Sequence, residues 1–203
     1  YTPNVSQDNI PDYMPPITEQ KAVIWALTNT LMTKVREEEA AYTYLEFLRL
    51  KLFQSYDINE AKKKLDGVVA PKRPFSDMGI EFDLNPHKYL SFKARNKYNV
   101  YSGWKELNYD LNIKDWRGDM LPVGYKYTID SIEEINLNIK AMVTSKIAAT
   151  YLLRRDQFHS RTVESTAGLT YYSQCWSLGL DYSLTDGDSR FMLKIALAGL
   201  GKL

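Results

Sequence analysis

"WKELNYDLNIKD", Trp104–Asp115, alternates with a period of two. Leu107, Tyr109, Leu111 and Ile113 fall on one parity, and Glu106, Asn108, Asp110, Asn112 and Lys114 on the other. Successive side chains of a strand point to opposite faces, so this pattern predicts a β-strand with one apolar and one polar face. A helix would space its apolar residues by three and four. The pattern recurs in "IEEINLNIKAMV" (132–143), where Ile135, Leu137, Ile139 and Ala141 oppose Glu134, Asn136, Asn138 and Lys140. It recurs again in "SRFMLKIALAGL" (189–200), where Phe191, Leu193, Ile195 and Leu197 oppose Arg190, Met192, Lys194 and Ala196.

Working outward, turn-forming clusters divide the chain: "NPHK" at Asn85, "SG" at Ser102, "WRGD" at Trp116, "TSK" at Thr144, "SQC" at Ser173 and "TDGD" at Thr185. About eleven strands are expected, starting near residues 21, 40, 76, 88, 104, 120, 132, 145, 163, 176 and 189. The first two, "AVIWALTNTLMTKV" and "AAYTYLEFLRLKLF", also fit amphipathic helices. Their β-branched and aromatic content, with period-two faces of Val23, Trp25, Leu27 and of Leu48, Leu50, Leu52, assigns them as strands. Short turns are expected to alternate with looser connections at 56–74, 128–131, 157–162 and 185–188, with the Ser102–Gly103 turn as a short exception. Residues 1–20 carry four prolines and read as a loop. Pro122 reads as a proline at the start of a strand, with no gating role.

Composition narrows function. The chain has 203 residues with 26 basic and 25 acidic side chains, for a net charge of +1. That balance gives no electrostatic footprint for nucleic acid. No run of about 18 apolar residues offers a transmembrane helix. His87 and His159 sit in separate turns without a ligand cluster, so no metal site is expected. There is no Gly-rich phosphate loop and no nucleophile–base–acid arrangement. No catalytic residue and no cofactor are expected, and the chain does not read as an enzyme.

Alternation alone fits a soluble sandwich as well as a membrane barrel. Ionisable residues recur on the polar parity: Glu81 and Asp83; Lys93, Arg95 and Lys97; Glu106, Asp110 and Lys114; Arg190 and Lys194. They suit a hydrated lumen. Tyr101, Trp104, Trp116, Tyr171, Trp176 and Tyr182 lie near strand ends, as interfacial girdles require. These two features, and the expected alternation of short turns with longer loops that places one set on each side of a layer, favour an antiparallel transmembrane β-barrel. An all-antiparallel sheet closes only with an even strand count, so eleven strands are expected to be an arc of a larger barrel. The start at Tyr1 and the single cysteine, Cys175, fit a mature fragment.

The C-terminal stretch "STAGLTYYSQCWSLGLDYSLTDGDSRFMLKIALAGLG" resembles the end of the LptD family, the lipopolysaccharide-assembly or organic-solvent-tolerance proteins. The matching elements are Tyr172, Cys175 and Trp176, then Phe191, Leu193, Ile195, Leu197, Gly199 and Leu200. Weaker matches follow in order upstream: "YTPNVSQDNIPDYMPP", "FQSYDI", "FSDMGIEFDLNPHKYLSF" and "LPVGYKYT".

The resemblance implies a role in lipopolysaccharide transport. Family members form a barrel of roughly 26 strands behind an N-terminal periplasmic domain, in the outer membrane of Gram-negative cells. A plug lipoprotein, LptE, fills the barrel. Lipopolysaccharide arrives over a periplasmic bridge that includes LptA and leaves sideways between the first and last strands. Residues 1–203 would be a single domain, the C-terminal part of such a barrel, with 1–20 an extracellular loop and 21–200 the barrel strands.

By the same resemblance, Cys175 would form a disulfide to the missing N-terminal domain; otherwise it is a free thiol in a turn. Many members have two adjacent cysteines where this chain has Gln174-Cys175. Arg190, Phe191, Leu193, Ile195, Leu197 and Gly199 would lie on one edge of the lateral gate. Lys93, Arg95, Lys97, Arg154 and Lys194 would face the lumen, toward lipopolysaccharide, the plug or water. A porin-like channel or adhesin, and a soluble all-β binding module, remain as alternatives.

Overall fold

The computed structural model describes residues 21–36, 42–63 and 71–197. They form one sheet of eleven strands. The strands are β1 Ala22–Arg36, β2 Tyr42–Asp57, β3 Met78–His87, β4 Leu90–Asn99, β5 Gly103–Lys114 and β6 Met120–Thr128. They continue as β7 Ile132–Thr144, β8 Ile147–Asp156, β9 Arg161–Tyr172, β10 Trp176–Thr185 and β11 Asp188–Leu197. Each pairs antiparallel with its neighbours in sequence. The all-β expectation holds, and the two segments that could have been helices are strands. The expected loop 1–20, Gly199 and Leu200 lie outside the described residues.

The sheet is open, with β1 and β11 at its two ends. Eleven alternating strands leave these two running in the same direction. The expected alternation of short and long connections does not hold. Turns 88–89, 100–102, 115–119, 129–131, 145–146, 157–160, 173–175 and 186–187 are short at both ends of the sheet. Among the connections between described strands only 58–77 is long, and it opens with the helix α1, Ile58–Lys62. Asp57 caps α1 by accepting the backbone N–H groups of Asn59 at 2.8 Å and Glu60 at 3.1 Å. The turn clusters act locally: Gly187, with φ +84°, supplies the left-handed position that makes the 186–187 connection so short.

Register sorts the side chains into two faces. Directly opposed residues share a face. Leu50 opposes Phe82, Phe82 opposes Ala94, Ala94 opposes Tyr109, and Tyr109 opposes Tyr125. The row continues through Ile135 on β7, and Leu137, Leu153 and Ser165 are paired on the same face. It ends in pairs such as Leu180–Leu193 and Leu178–Ile195. The other parity carries Lys51, Glu81, Arg95 and Asn108 in one continuous row.

Among the described residues, no second layer covers the apolar face. Extensive strand contacts are all between sheet neighbours. Leu169 is 57% exposed, Leu193 64% and Ile195 69%. A sandwich would bury this face against a second sheet. What burial exists comes from side chains lying along the sheet. Phe82, Phe92, Tyr109 and Tyr125 follow one another at centroid spacings of 6.1 Å. Each such aromatic pair contributes about 0.5–1.5 kcal/mol. Ala94, between Phe82 and Tyr109, is 4% exposed because these rings close over it. Ala94→Leu should therefore force the rings apart and cost about 1–3 kcal/mol, measured by urea titration of the folded protein in detergent. An unchanged midpoint would mean the rings do not pack over this position.

Candidate functional site

The candidate site comprises the polar face, the outer edge of β11 and the turn bearing Cys175. On the polar face the sign of charge alternates from strand to strand across most of the sheet. Arg49 and Lys51 of β2 face Asp83 and Glu81 of β3. Those carboxylates face Lys93 and Arg95 of β4. Lys93 and Lys97 face Asp110 and Glu106 of β5. Lys126 of β6 faces Glu134 of β7. Arg154 of β8 faces Glu164 of β9, and Asp181 of β10 lies beside Lys194 of β11.

Four of the five cations expected to face a lumen are thereby engaged. Arg95 donates through Nη2 to both oxygens of Asp83, at 2.7 and 2.8 Å. Lys97 pairs with Glu106 at 3.0 Å and Arg154 with Glu164 at 3.6 Å. Lys194 reaches diagonally over Gly179 to Asp181. A side chain at Gly168 would collide with the Asp181 carboxylate and the Thr150 hydroxyl, so this glycine makes room for the pair. Lys93 stands beside Asp83 and Asp110 without an ion pair of its own among the described residues. Most pairs are half exposed, so each is worth about 0–1 kcal/mol. Asp83 differs: it is only 8% exposed, with Arg49, Lys93 and Arg95 around it.

The last strand divides as its alternation predicts. Phe191, Leu193, Ile195 and Leu197 lie on the apolar face, opposite Tyr182, Leu180, Leu178 and Trp176. Arg190 and Lys194 lie on the polar face, opposite Ser183 and Gly179. Arg190 pairs with Asp188 of its own strand at 2.8 Å. The far edge of β11 has no partner strand among the described residues.

Cys175 is an exposed free thiol in the 173–175 turn. Ser173 N–H closes that turn onto the Trp176 carbonyl at 2.8 Å. The 115–119 turn lies at the same end of the sheet and is braced by charge. Arg117 bonds both Asp115 and Asp119, the first at 3.0 Å. Desolvation works against ionisation of Asp115, but bonds from Arg117 and from the backbone at Asp119 and Arg117 hold its carboxyl below the usual range.

Glu164 and Asp181, which complete two of the pairs, are not singled out by the alternation pattern alone. A signal exists: each is a carboxylate on the polar parity of a strand next to one whose polar parity carries a cation. Reading it requires the register. His87 and His159 remain apart, and among the described residues no acidic, histidine and cysteine group could hold a metal ion.

The family described as LptD, LPS transport system D, matches residues 16–156. The LPS-assembly protein LptD of Aliivibrio fischeri is 25% identical over 143 residues, 61% of this chain and 18% of its own length. The protein of the same name from Vibrio cholerae is 28% identical over 109 residues, 52% of this chain and 14% of its own. That from Cupriavidus pinatubonensis is 24% identical over 193 residues, 87% of this chain and 23% of its own. The chain spans about a fifth of the length of these curated relatives.

Asp83→Asn should leave three neighbouring cations short of a counter-ion and lower stability by about 1–2 kcal/mol. Adding Lys93→Gln should recover part of that loss. Urea midpoints of the two variants test this, and equal midpoints would contradict charge as the cause.

Proposed function

This chain belongs to the LptD family, LPS transport system D, and from that premise we propose that it is a stretch of outer-membrane barrel wall in a lipopolysaccharide-assembly translocon. The uncovered apolar face carries this proposal. One face runs across the whole sheet with exposed aliphatic and aromatic side chains, and among the described residues no protein layer packs on it. A bilayer is the solvent such a face suits. The opposite face, with its cross-strand ion pairs, suits a hydrated lumen. Aromatic side chains gather toward both ends of the strands, with Trp116 and Trp176 at one end and Tyr101 and Trp104 at the other, as two interfacial girdles require.

Within this proposal lipopolysaccharide is the substrate, and β11 forms one edge of its lateral exit. Phe191, Leu193, Ile195 and Leu197 would face lipid, while Arg190 and Lys194 would face the lumen. The Lys194–Asp181 ion pair ties β11 inward to β10, so the open outer edge is where the wall would part. Arg95, Lys97, Arg154 and Lys194 already have carboxylate partners, so a lipopolysaccharide phosphate or the plug lipoprotein LptE would have to displace those partners. Lys93 is the cation that needs no such exchange. Cys175 would bond a cysteine in an N-terminal periplasmic domain, the part that would meet LptA. In the chain-entropy account, a disulfide across several hundred residues stabilises by about 4–5 kcal/mol.

Two measurements test the proposal. Leu107→Lys, on the apolar face, should cost about 2–4 kcal/mol at mid-bilayer, whereas Asn108→Lys, one residue on, should cost far less. Assembly of the full-length protein into membranes reads this, and equal tolerance would argue against the assigned facing. Non-reducing electrophoresis of the full-length protein should show a mobility difference from the reduced form that Cys175→Ser abolishes. Identical mobilities in all samples would refute the disulfide.

A further inference from the structure

β6 is an interior strand that carries a proline. Pro122 has no N–H to donate, and such a residue is ordinarily confined to edges or bulges. The β5–β6 ladder runs unbroken through Leu121 and Pro122. The β6–β7 ladder does not: it pairs Met120 with Lys140 and resumes at Val123 with Leu137. Leu121–Ile139 and Pro122–Asn138 are skipped with no change of register. Past the gap, the Asp119 carboxylate accepts the Met142 N–H at 2.5 Å, so a side chain bridges the two strands there.

A groove of about 280 Å³ lies over this part of the sheet. The register defines its shape. Lys114, Met120 and Lys140 form one row whose side chains belong to the polar face, leaving their backbone as the floor. Ile113, Leu121 and Ile139 form an aliphatic wall on the apolar face. The opposite wall is Ala141 with Asp115 and Asp119, toward the turn. Beyond it, Trp116 stands 81% exposed beside a second cleft of about 490 Å³ that Met142 and Val143 also line.

We propose that the groove at the β6–β7 ladder gap holds the acyl chain of a zwitterionic phospholipid, with its headgroup at the 115–119 turn. The aliphatic wall matches the chain. The turn presents both signs of charge, Asp115 and Asp119 around Arg117, which matches a head that carries both. Trp116 supplies the amphipathic ring favoured at headgroup depth. The groove is continuous with the face assigned above to the bilayer, so this inference rests on that assignment.

The test uses full-length protein in vesicles containing phosphatidylethanolamine with a diazirine in its acyl chain. After irradiation, labelled peptides are located by mass spectrometry. Peptides with Ile113–Leu121 and Ile139–Ala141 should be labelled about fivefold more than those with Leu169, Leu178 and Leu180, a ratio equivalent to about 1 kcal/mol. Leu121→Trp and Ala141→Trp, which fill the groove from opposite walls, should each remove the excess. Even labelling across the apolar face would overturn the groove while leaving the bilayer assignment intact. Labelling confined to polar-face positions would overturn both. Labelling of the groove by a diazirine lipopolysaccharide but not by the phospholipid would overturn the choice of ligand.

Discussion

Cross-strand register is the constraint on which the rest of this structure depends. Ten antiparallel ladders hold the eleven strands. A slip of one residue in any of them would send a whole strand's apolar set to the other face. Among the described residues no packed core corrects such an error, because no second layer lies on the sheet. Specification falls instead on cross-strand neighbours: the aromatic row from Phe82 to Tyr125 on one side and the ion pairs on the other. Opposite charges directly across a ladder reward the correct register, and a two-residue slip would misalign them even though it preserves the faces.

The polar face consequently differs from a field of free cations. Its basic residues resemble a phosphate-binding surface when taken strand by strand. Set side by side, most are matched by a carboxylate on the neighbouring strand. Such pairs contribute little stability individually where they are exposed. Their larger effect is on what the face can bind, since a phosphate must compete with a carboxylate already in place. Asp83, nearly buried among three cations, is where that competition would be hardest. At the β6–β7 gap the same dependence on pairing works in reverse: one missing N–H removes two pairs and leaves a recess in an otherwise continuous wall.

Much of this was legible before any coordinates. The eleven strands begin within about two residues of the positions that alternation and turn chemistry indicate. Ambiguity at Ala22–Arg36 and Tyr42–Asp57 is resolved as strand because each segment has a ladder partner. Loop lengths are not legible in the same way. Segments 157–162 and 185–188 look loose in composition, yet Arg161 and Asp188 already belong to strands. Polar residues at a strand end and polar residues in a loop have the same sequence signature. The pairing of Glu164 and Asp181 is hidden in the sequence for a related reason: a carboxylate's partner lies on another strand, and nothing local points to it.

The sequence by itself therefore determined the strands, their two faces, the turn sites and, through Cys175 and the C-terminal pattern, the family resemblance. These are local properties, carried by a two-residue period and by residues that suit tight turns. Only the tertiary structure decided which charges meet, that among the described residues Lys93 is left without an ion pair and no layer covers the apolar face, and that Pro122 opens one ladder and not the other. Those outcomes depend on register between segments that the chain's own order does not align. They appear only once backbone hydrogen bonds have set each strand against its neighbour.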